Sequence, residues 1–185
     1  MGSPSIQEVP VSRSVPLVSL AAGTAFAAVG ALELTLGQAS VFASTSDYVI
    51  EWLFVVALAL AVGVLVRLAR ANDDRATVTA FAIAVLGHAA MCVAAVATAV
   101  AGRESLDVLF PIGVLLALVG LIVLAVQDLR RRVVPERVGL VLAAAFALTF
   151  PAEALVEAGS LLLATGWLAV ARLSSRPDRV PALVA

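Results

Sequence analysis

The sequence has few charged or aromatic residues and almost none that bind metals or form disulfides. Of its 185 residues, 14% are charged and 5% are aromatic, and it contains one histidine and one cysteine. It has no lysine, because all twelve basic residues are arginine. The single cysteine, Cys92, excludes an internal disulfide. No CxxC pair, paired-histidine spacing, P-loop or GxGxxG motif occurs, so nothing indicates the common redox, zinc or nucleotide-binding classes.

Apolar residues dominate the chain, which is 62% hydrophobic with a mean hydropathy of +1.08. Soluble domains are about half apolar and about a quarter charged. A membrane-spanning helix needs about 20 apolar residues. The sequence therefore predicts an all-α, polytopic transmembrane bundle of six helices, although the fifth run is short and could fuse with the sixth. The six apolar runs cover residues 15–36, 48–68, 77–101, 108–127, 135–150 and 154–173.

The arginines predict how the chain is threaded. With six spans and a cytoplasmic amino terminus, eleven of the twelve arginines lie in the cytoplasm, and only Arg103 lies outside. Basic residues favour the cytoplasmic side of a membrane. We therefore expect a transmembrane domain at 15–173 in the plasma membrane, with cytoplasmic tails at 1–14 and 174–185. Cleavage of the first span as a signal peptide, near "VFAS" at 41–44, stays open as an alternative.

Two features predict how the helices pack and end. Gly23, Gly30 and Gly37 recur every seven residues, as do Gly113 and Gly120 in the fourth run. Seven residues are close to two helical turns, so each set forms a stripe of small residues where helices can approach closely. A proline ends many helices, so we expect the fifth helix to close at "FP", residues 150–151.

Most acids on the predicted outer side have a simple explanation, because they lie near the starts of the second, fourth and sixth helices. An acid there meets the positive end of the helix dipole. Two pairs, however, have four-residue spacing, at which like charges repel. Their members are candidate outer carboxylates for a shared site: Asp47, Glu51, Glu153 and Glu157.

Glu33 does not fit this explanation. It lies near the carboxyl end of the first span, where the helix dipole disfavours a negative charge, and it shares the stripe of Gly30 and Gly37. An ionisable residue inside a span is a functional-site hypothesis by default. Glu33 is therefore the candidate intramembrane acid, and Arg103 is its candidate ion-pair partner. A protonated or hydrogen-bonded Glu33 and a functional acid remain alternatives.

His88 lies near the middle of the third span, with Met91 and Cys92 close behind it. Imidazole, thiolate and thioether groups are ligands that copper uses. One histidine without a second is a poor copper site, so we favour a histidine that packs between helices. The sequence predicts no metal and no cofactor.

Part of the chain has a familiar pattern. In "LDVLFPIGVLLALVGLIVLAVQDLRRRVVPERVGLVLAAAFAL", residues 106–148, a glycine-bearing span ends in arginines and a short turn leads into the next span. This stretch, with "ATGWLAVARL" at 164–173, resembles small multi-pass membrane proteins of bacteria, especially of actinobacterial type. The resemblance implies a multi-pass membrane fold, and it carries over no activity and no site residues.

The functional prediction is a small multi-pass membrane protein without enzymatic activity. It would act through helix packing, as an accessory or regulatory partner or as a homo-oligomer in the lipid bilayer. Nucleic acid is not an expected partner, because the arginines lie at the ends of apolar runs. Two alternatives stay open. One is an intramembrane enzyme that acts on a lipid or isoprenoid-like substrate through the outer carboxylates, and the other is a small transporter with Glu33 as its proton site.

Overall fold

The structure is a computed structural model that describes residues 14–37, 42–103, 106, 108–130, 132–133, 135–156 and 159–175. Within these ranges the chain forms helices and no strands, which confirms the predicted all-α class of six helices. The helices are α1 (Ser14–Leu36), α2 (Thr45–Arg70), α3 (Arg75–Ala101), α4 (Leu109–Leu129), α5 (Val138–Val156) and α6 (Gly159–Ser174).

The six helices form a closed ring. Each helix packs against the next one along the chain, and α1 also packs against α6. The connections are short, so consecutive helices run in opposite directions. One end of the bundle therefore holds the carboxyl ends of α1, α3 and α5 with the amino ends of α2, α4 and α6. We call it the acidic end, because Glu33, Asp47 and Glu153 lie there, and the opposite end is the basic end.

Length and composition indicate a multi-pass membrane protein. Helices α1 to α5 are each long and apolar enough to cross a membrane, and α6 is a shorter apolar helix of 16 residues. Large apolar side chains also cover the outside of the bundle, where water would disfavour them. Examples on three different helices are Leu17, Leu86 and Leu115, each more than 60% exposed.

Small residues bring α3 and α4 into backbone contact. A methyl group on Gly87 would clash with the backbone nitrogen of Ala117, and one on Gly120 would lie 2.5 Å from the backbone nitrogen of Ala84. Gly113 faces the carbonyl oxygen of Gly87 across the same contact. The predicted stripe of Gly113 and Gly120 is thus a helix-packing surface, as expected where close backbone approach drives association in lipid.

The stripe on α1 packs against α6 in a matched register. Gly23 receives the side chain of Leu168, and Gly30 receives that of Leu161, so two positions seven residues apart on each helix meet. Gly37 differs from the prediction. It follows the last residue of α1 with a φ of +79° and has open space around its α-carbon. Gly37 therefore ends the helix rather than packing it, because its φ is one that side-chain-bearing residues rarely adopt.

The end of α5 also differs from the prediction. The helix continues through Pro151 to Val156, and α6 begins only at Gly159. Proline lacks an N–H group and disturbs the carbonyl four residues earlier, here Ala147, but membrane helices tolerate this when neighbouring groups compensate. The fifth helix is therefore long enough to span a membrane, and the sixth is the short one.

Side chains that bind backbone N–H groups fix the helix starts. Ser44 and Asp47 form a capping box at α2, and the Asp74 carboxylate accepts hydrogen bonds from the backbone N–H and the hydroxyl of Thr77 at α3. At the basic end, Asp128 accepts hydrogen bonds from the backbone N–H groups of Arg137 and Leu140. The carboxylate of α4 therefore holds the start of α5 in place.

Candidate binding cavity

A cavity of about 520 Å³ lies inside the ring, towards the acidic end. All six helices contribute to its lining, through residues such as Glu33, Glu51, Thr98, Phe110 and Ser160. On α2 the lining extends from Asp47 to Leu58, which is roughly 16 Å at 1.5 Å per residue. A volume of this size is within the range of small-molecule sites, about 300–1,000 Å³.

Four carboxyl groups from three helices line this cavity: Glu33, Asp47, Glu51 and Glu153. Glu33 is only 9% exposed, so the acid that the helix dipole does not explain faces the interior of the ring. The structure thus brings together three of the four candidate outer carboxylates with the candidate intramembrane acid. The fourth, Glu157, lies outside the described residues.

Two of these carboxylates are engaged at helix starts. Asp47 accepts hydrogen bonds of 2.8 Å from the backbone N–H groups of Ala43 and Ser44. Glu153 accepts a hydrogen bond of 2.8 Å from the backbone N–H of Gly159, the first residue of α6. Both acids therefore bind helix-start N–H groups at the rim of the cavity, although Glu153 lies in the last turn of α5 and not at the start of α6 as predicted.

Glu33 and Glu51 lie deeper than the rim. Glu51 is one helical turn beyond Asp47, is half-buried, and lines the same cavity as Glu33. Arg103 is exposed and is not part of the cavity lining. The ion pair between Glu33 and Arg103 stays a prediction.

Phenylalanine rings form a large part of the apolar wall. Six of the seven phenylalanines in the chain line the cavity, whereas Phe81 is buried elsewhere. On one side Phe54 lies between two other rings, with centroids 6.0 Å from Phe26 and 6.3 Å from Phe110. On another side Phe146 and Phe150 meet edge to face at 5.8 Å. Edge-to-face pairs of this kind stabilise an aromatic wall beyond the burial of its area.

His88 lies at the inner end of the cavity. It is 2% exposed, and its ring packs against Phe146 and Trp167 with centroids 5.7 and 6.3 Å away. Its Nδ1 is 2.8 Å from the carbonyl oxygen of Ala84. A carbonyl only accepts, so Nδ1 carries the proton and Nε2 of the neutral ring is left as an acceptor. The helix-packing interpretation of His88 agrees with these contacts, but His88 also belongs to the cavity lining.

The copper interpretation gains no support from the geometry. Among the described residues, no three histidine, cysteine or acidic side chains lie close enough to hold a metal ion. The Cys92 thiol instead points to the carbonyl oxygen of Val55, at 3.8 Å. Cys92 therefore contributes to the contact between α3 and α2.

The basic half of the bundle is closely packed, so the cavity does not continue through it. Side chains on three helices there are fully buried and fill the ring below His88. They include Leu65, Leu68, Leu121, Leu124 and Val170. Within the described residues, the cavity therefore lies in the half of the bundle towards the acidic end.

Sequence reasoning missed the aromatic wall and the position of His88 at its inner end. One signal was present, because Phe42, Phe110 and Phe150 lie near the acidic end and Phe81 is the exception near the basic end. Helix rotation, which decides whether a ring faces lipid or the interior, could not be read from continuous apolar runs.

The chain was also compared with known proteins. No protein family model, curated protein or solved structure matches it.

Proposed function

We propose that this protein is a small membrane transporter that binds a solute in the cavity and exchanges it for protons. The observation that carries the proposal is the convergence of four carboxyl groups on one cavity inside a bundle of apolar helices. Two acids that line the deeper part of one cavity, such as Glu33 and Glu51, are a natural place for a proton or a positive charge, because either one relieves the repulsion between like charges.

The cavity and its buried acid lower the stability of the fold, and a protein that acts only through helix packing would not need them. An acid buried in a span destabilises the membrane-embedded fold, and an unfilled interior volume costs further stability. An accessory protein would gain by filling the ring with apolar side chains, as the basic half of this bundle does. The cavity and Glu33 together therefore favour a solute-binding role over the accessory role expected from the sequence.

Transport is also favoured over intramembrane catalysis. Asp47 and Glu153 bind backbone N–H groups at the rim, and Glu33 and Glu51 line the deeper part of the cavity. A transporter needs one such protonatable centre and a site that opens to each side in turn. A cavity towards the acidic end above a closely packed basic end supports this proposal, because a carrier with its site accessible from one side would have that arrangement.

The proposal places the protein in the plasma membrane, with both termini and the basic end in the cytoplasm. The distribution of arginines supports this orientation, since Arg67, Arg70, Arg75 and Arg130 all lie at the basic end. The cavity would then open to the outside. A proton-driven carrier in this orientation could take up or expel a solute.

A proteoliposome assay tests the transport proposal. Purified protein is reconstituted with the pH dye pyranine inside, a pH gradient is imposed, and proton movement is followed after addition of benzyltrimethylammonium, leucine, glucose or decanoate. We expect one of these solute classes to accelerate proton movement, and Glu33→Gln to reduce that rate at least tenfold. Glu136→Gln is the matched control, because Glu136 is an exposed acid at the basic end.

Two outcomes would overturn the proposal. One is that no solute moves protons faster than through protein-free liposomes, although the reconstituted protein is monodisperse and folded. The other is that Glu33→Gln and Glu136→Gln transport as well as the unmodified protein, because the interior acid would then carry no proton in the cycle.

A further inference from the structure

We infer that the ligand of this cavity is an organic cation, whose charge lies between Glu33 and Glu51 and whose apolar body rests on the phenylalanine wall. The inference names the solute class of the proposed transporter and so rests on that proposal. Its first support is the sign of the charge. Among the described residues that line the cavity, four are acidic and none is lysine or arginine. An anion would be repelled from such a site and a cation attracted.

The inner end of the cavity points to the same sign of charge. His88 is 98% buried, since its exposed fraction is 2%, and its Nδ1 proton is already donated to Ala84. Its Nε2 makes no hydrogen bond to another described residue, and it is an acceptor. The carboxylates of Glu33 and Glu51 are acceptors too. A ligand that reaches the inner end therefore meets acceptors, which suits a positively charged group and its donors rather than an anion.

The phenylalanine wall distinguishes an organic cation from a metal ion. Hard metal ions take six to eight oxygen ligands at short distances, and a wall of carbon offers none. An aromatic face, in contrast, attracts a cation with apolar substituents and also covers its apolar surface. Phe54 is the central ring of this wall, because it contacts both Phe26 and Phe110. The pairing of interior acids with six phenylalanines thus fits an amine or quaternary ammonium compound with an aromatic or aliphatic body.

Binding of four small probes to the purified protein in detergent tests this inference by isothermal titration calorimetry. Benzyltrimethylammonium carries both the charge and the ring, and tetramethylammonium carries the charge alone. Benzylsulfonate and benzyl alcohol keep the ring with a negative or no charge. We expect benzyltrimethylammonium to bind tightest, tetramethylammonium at least threefold more weakly, and the other two weakest.

Variants then test the two halves of the site. Glu33→Gln and Glu51→Gln should each weaken benzyltrimethylammonium at least tenfold, because a desolvated charge pair is lost. Phe54→Leu should weaken it about two- to fivefold, the value of one cation–aromatic contact. The matched controls are Glu136→Gln and Phe81→Leu, an exposed acid and a buried phenylalanine outside the cavity, and both should bind normally.

Three results would contradict the inference that the ligand is an organic cation. If benzylsulfonate or benzyl alcohol binds as tightly as benzyltrimethylammonium, the cation inference is wrong, although the cavity still binds solutes. If tetramethylammonium binds equally well and Phe54→Leu has no effect, the aromatic wall does not recognise the ligand and the inference is also wrong. If no probe binds while leucine, glucose or decanoate drives proton movement in proteoliposomes, the transporter proposal stands and the cation inference falls.

Discussion

At Gly87 the absence of a side chain allows two helices to pack in backbone contact. The residue is buried in α3, and α4 passes so close that its backbone occupies the place of a side chain. Around the position of an added methyl group lie the carbonyl oxygen of Gly113 at 2.6 Å and the α-carbon of Ala117 at 2.7 Å. Backbone atoms cannot rotate away as a side chain can, so any larger residue must push the helices apart.

We predict that Gly87→Ala lowers the stability of the bundle. Overpacking of this kind costs about 1–3 kcal/mol, which exceeds the gain of about 1 kcal/mol from replacing glycine by alanine in a helix. The midpoint of thermal unfolding in detergent should therefore fall. Gly63→Ala is the control, because a methyl group there would approach only the flexible end of Arg67, at 3.1 Å. A Gly87→Ala protein as stable as the Gly63→Ala protein would contradict the close packing of α3 and α4.

For individual residues, the sequence predicted helix–helix contacts better than it predicted the lining of the cavity. The seven-residue spacing identified Gly23, Gly30, Gly113 and Gly120 as packing positions, because small residues have one clear use between membrane helices. The same spacing failed at Gly37, where a positive φ serves to end α1. Glu33 was singled out because its charge contradicts the helix dipole, but no such conflict marks the phenylalanines, which suit lipid and cavity alike.

Among the helices, α3 and α5 differ in how their ends are specified. The start of α3 is fixed by one carboxylate, since Asp74 binds both the backbone N–H and the hydroxyl of Thr77. Arg132 also reaches Asp74, at 3.6 Å, from the connection between α4 and α5. The end of α5 could not be predicted, because Pro151 would stop a helix in water and is accommodated here. Local rules succeed where a capping side chain binds the start of its own helix and fail where neighbouring helices compensate.

The start of α3 should be sensitive to acid. The hydrogen bond from the backbone N–H of Thr77 is the main cause that lowers the pKa of Asp74 below its ordinary value. A carboxyl group with a lower pKa in the folded than in the unfolded state stabilises the fold above the unfolded value, about 3.9. That contribution is lost as the pH falls through the folded pKa.

We therefore predict that Asp74→Ala lowers the unfolding midpoint at pH 7 and makes it less dependent on pH below about 5. Thermal unfolding in detergent between pH 3 and pH 7 measures both effects. Asp73→Ala, which removes the exposed neighbouring acid, should keep the full acid sensitivity. If the unfolding midpoints of Asp74→Ala and of the unmodified protein changed with pH in parallel, the charge of the Asp74 carboxylate would not contribute to the stability of the fold.

The whole molecule is electrically polar along the axis of the ring. Apart from Arg103, the described arginines lie at the basic end with the capping acids Asp74 and Asp128, whereas the interior acids Glu33 and Glu51 lie towards the other end. The bundle of six helices could be predicted because apolar length and the arginine pattern act over the whole chain, whereas its closure into a ring could not. The cavity could not be predicted, because it depends on the rotation of six helices together. The same polarity predicts which side of a membrane the acidic end faces.

We predict that the acidic end faces outward. Arginines resist translocation, so the basic end should stay in the cytoplasm. Single cysteines introduced in a Cys92→Ala background, Ala43→Cys at the acidic end and Glu136→Cys at the basic end, are both at exposed positions. A membrane-impermeant maleimide should label the first in intact cells and the second only after lysis. The reverse pattern would turn the cavity towards the cytoplasm, and the transporter would then load its solute from inside the cell.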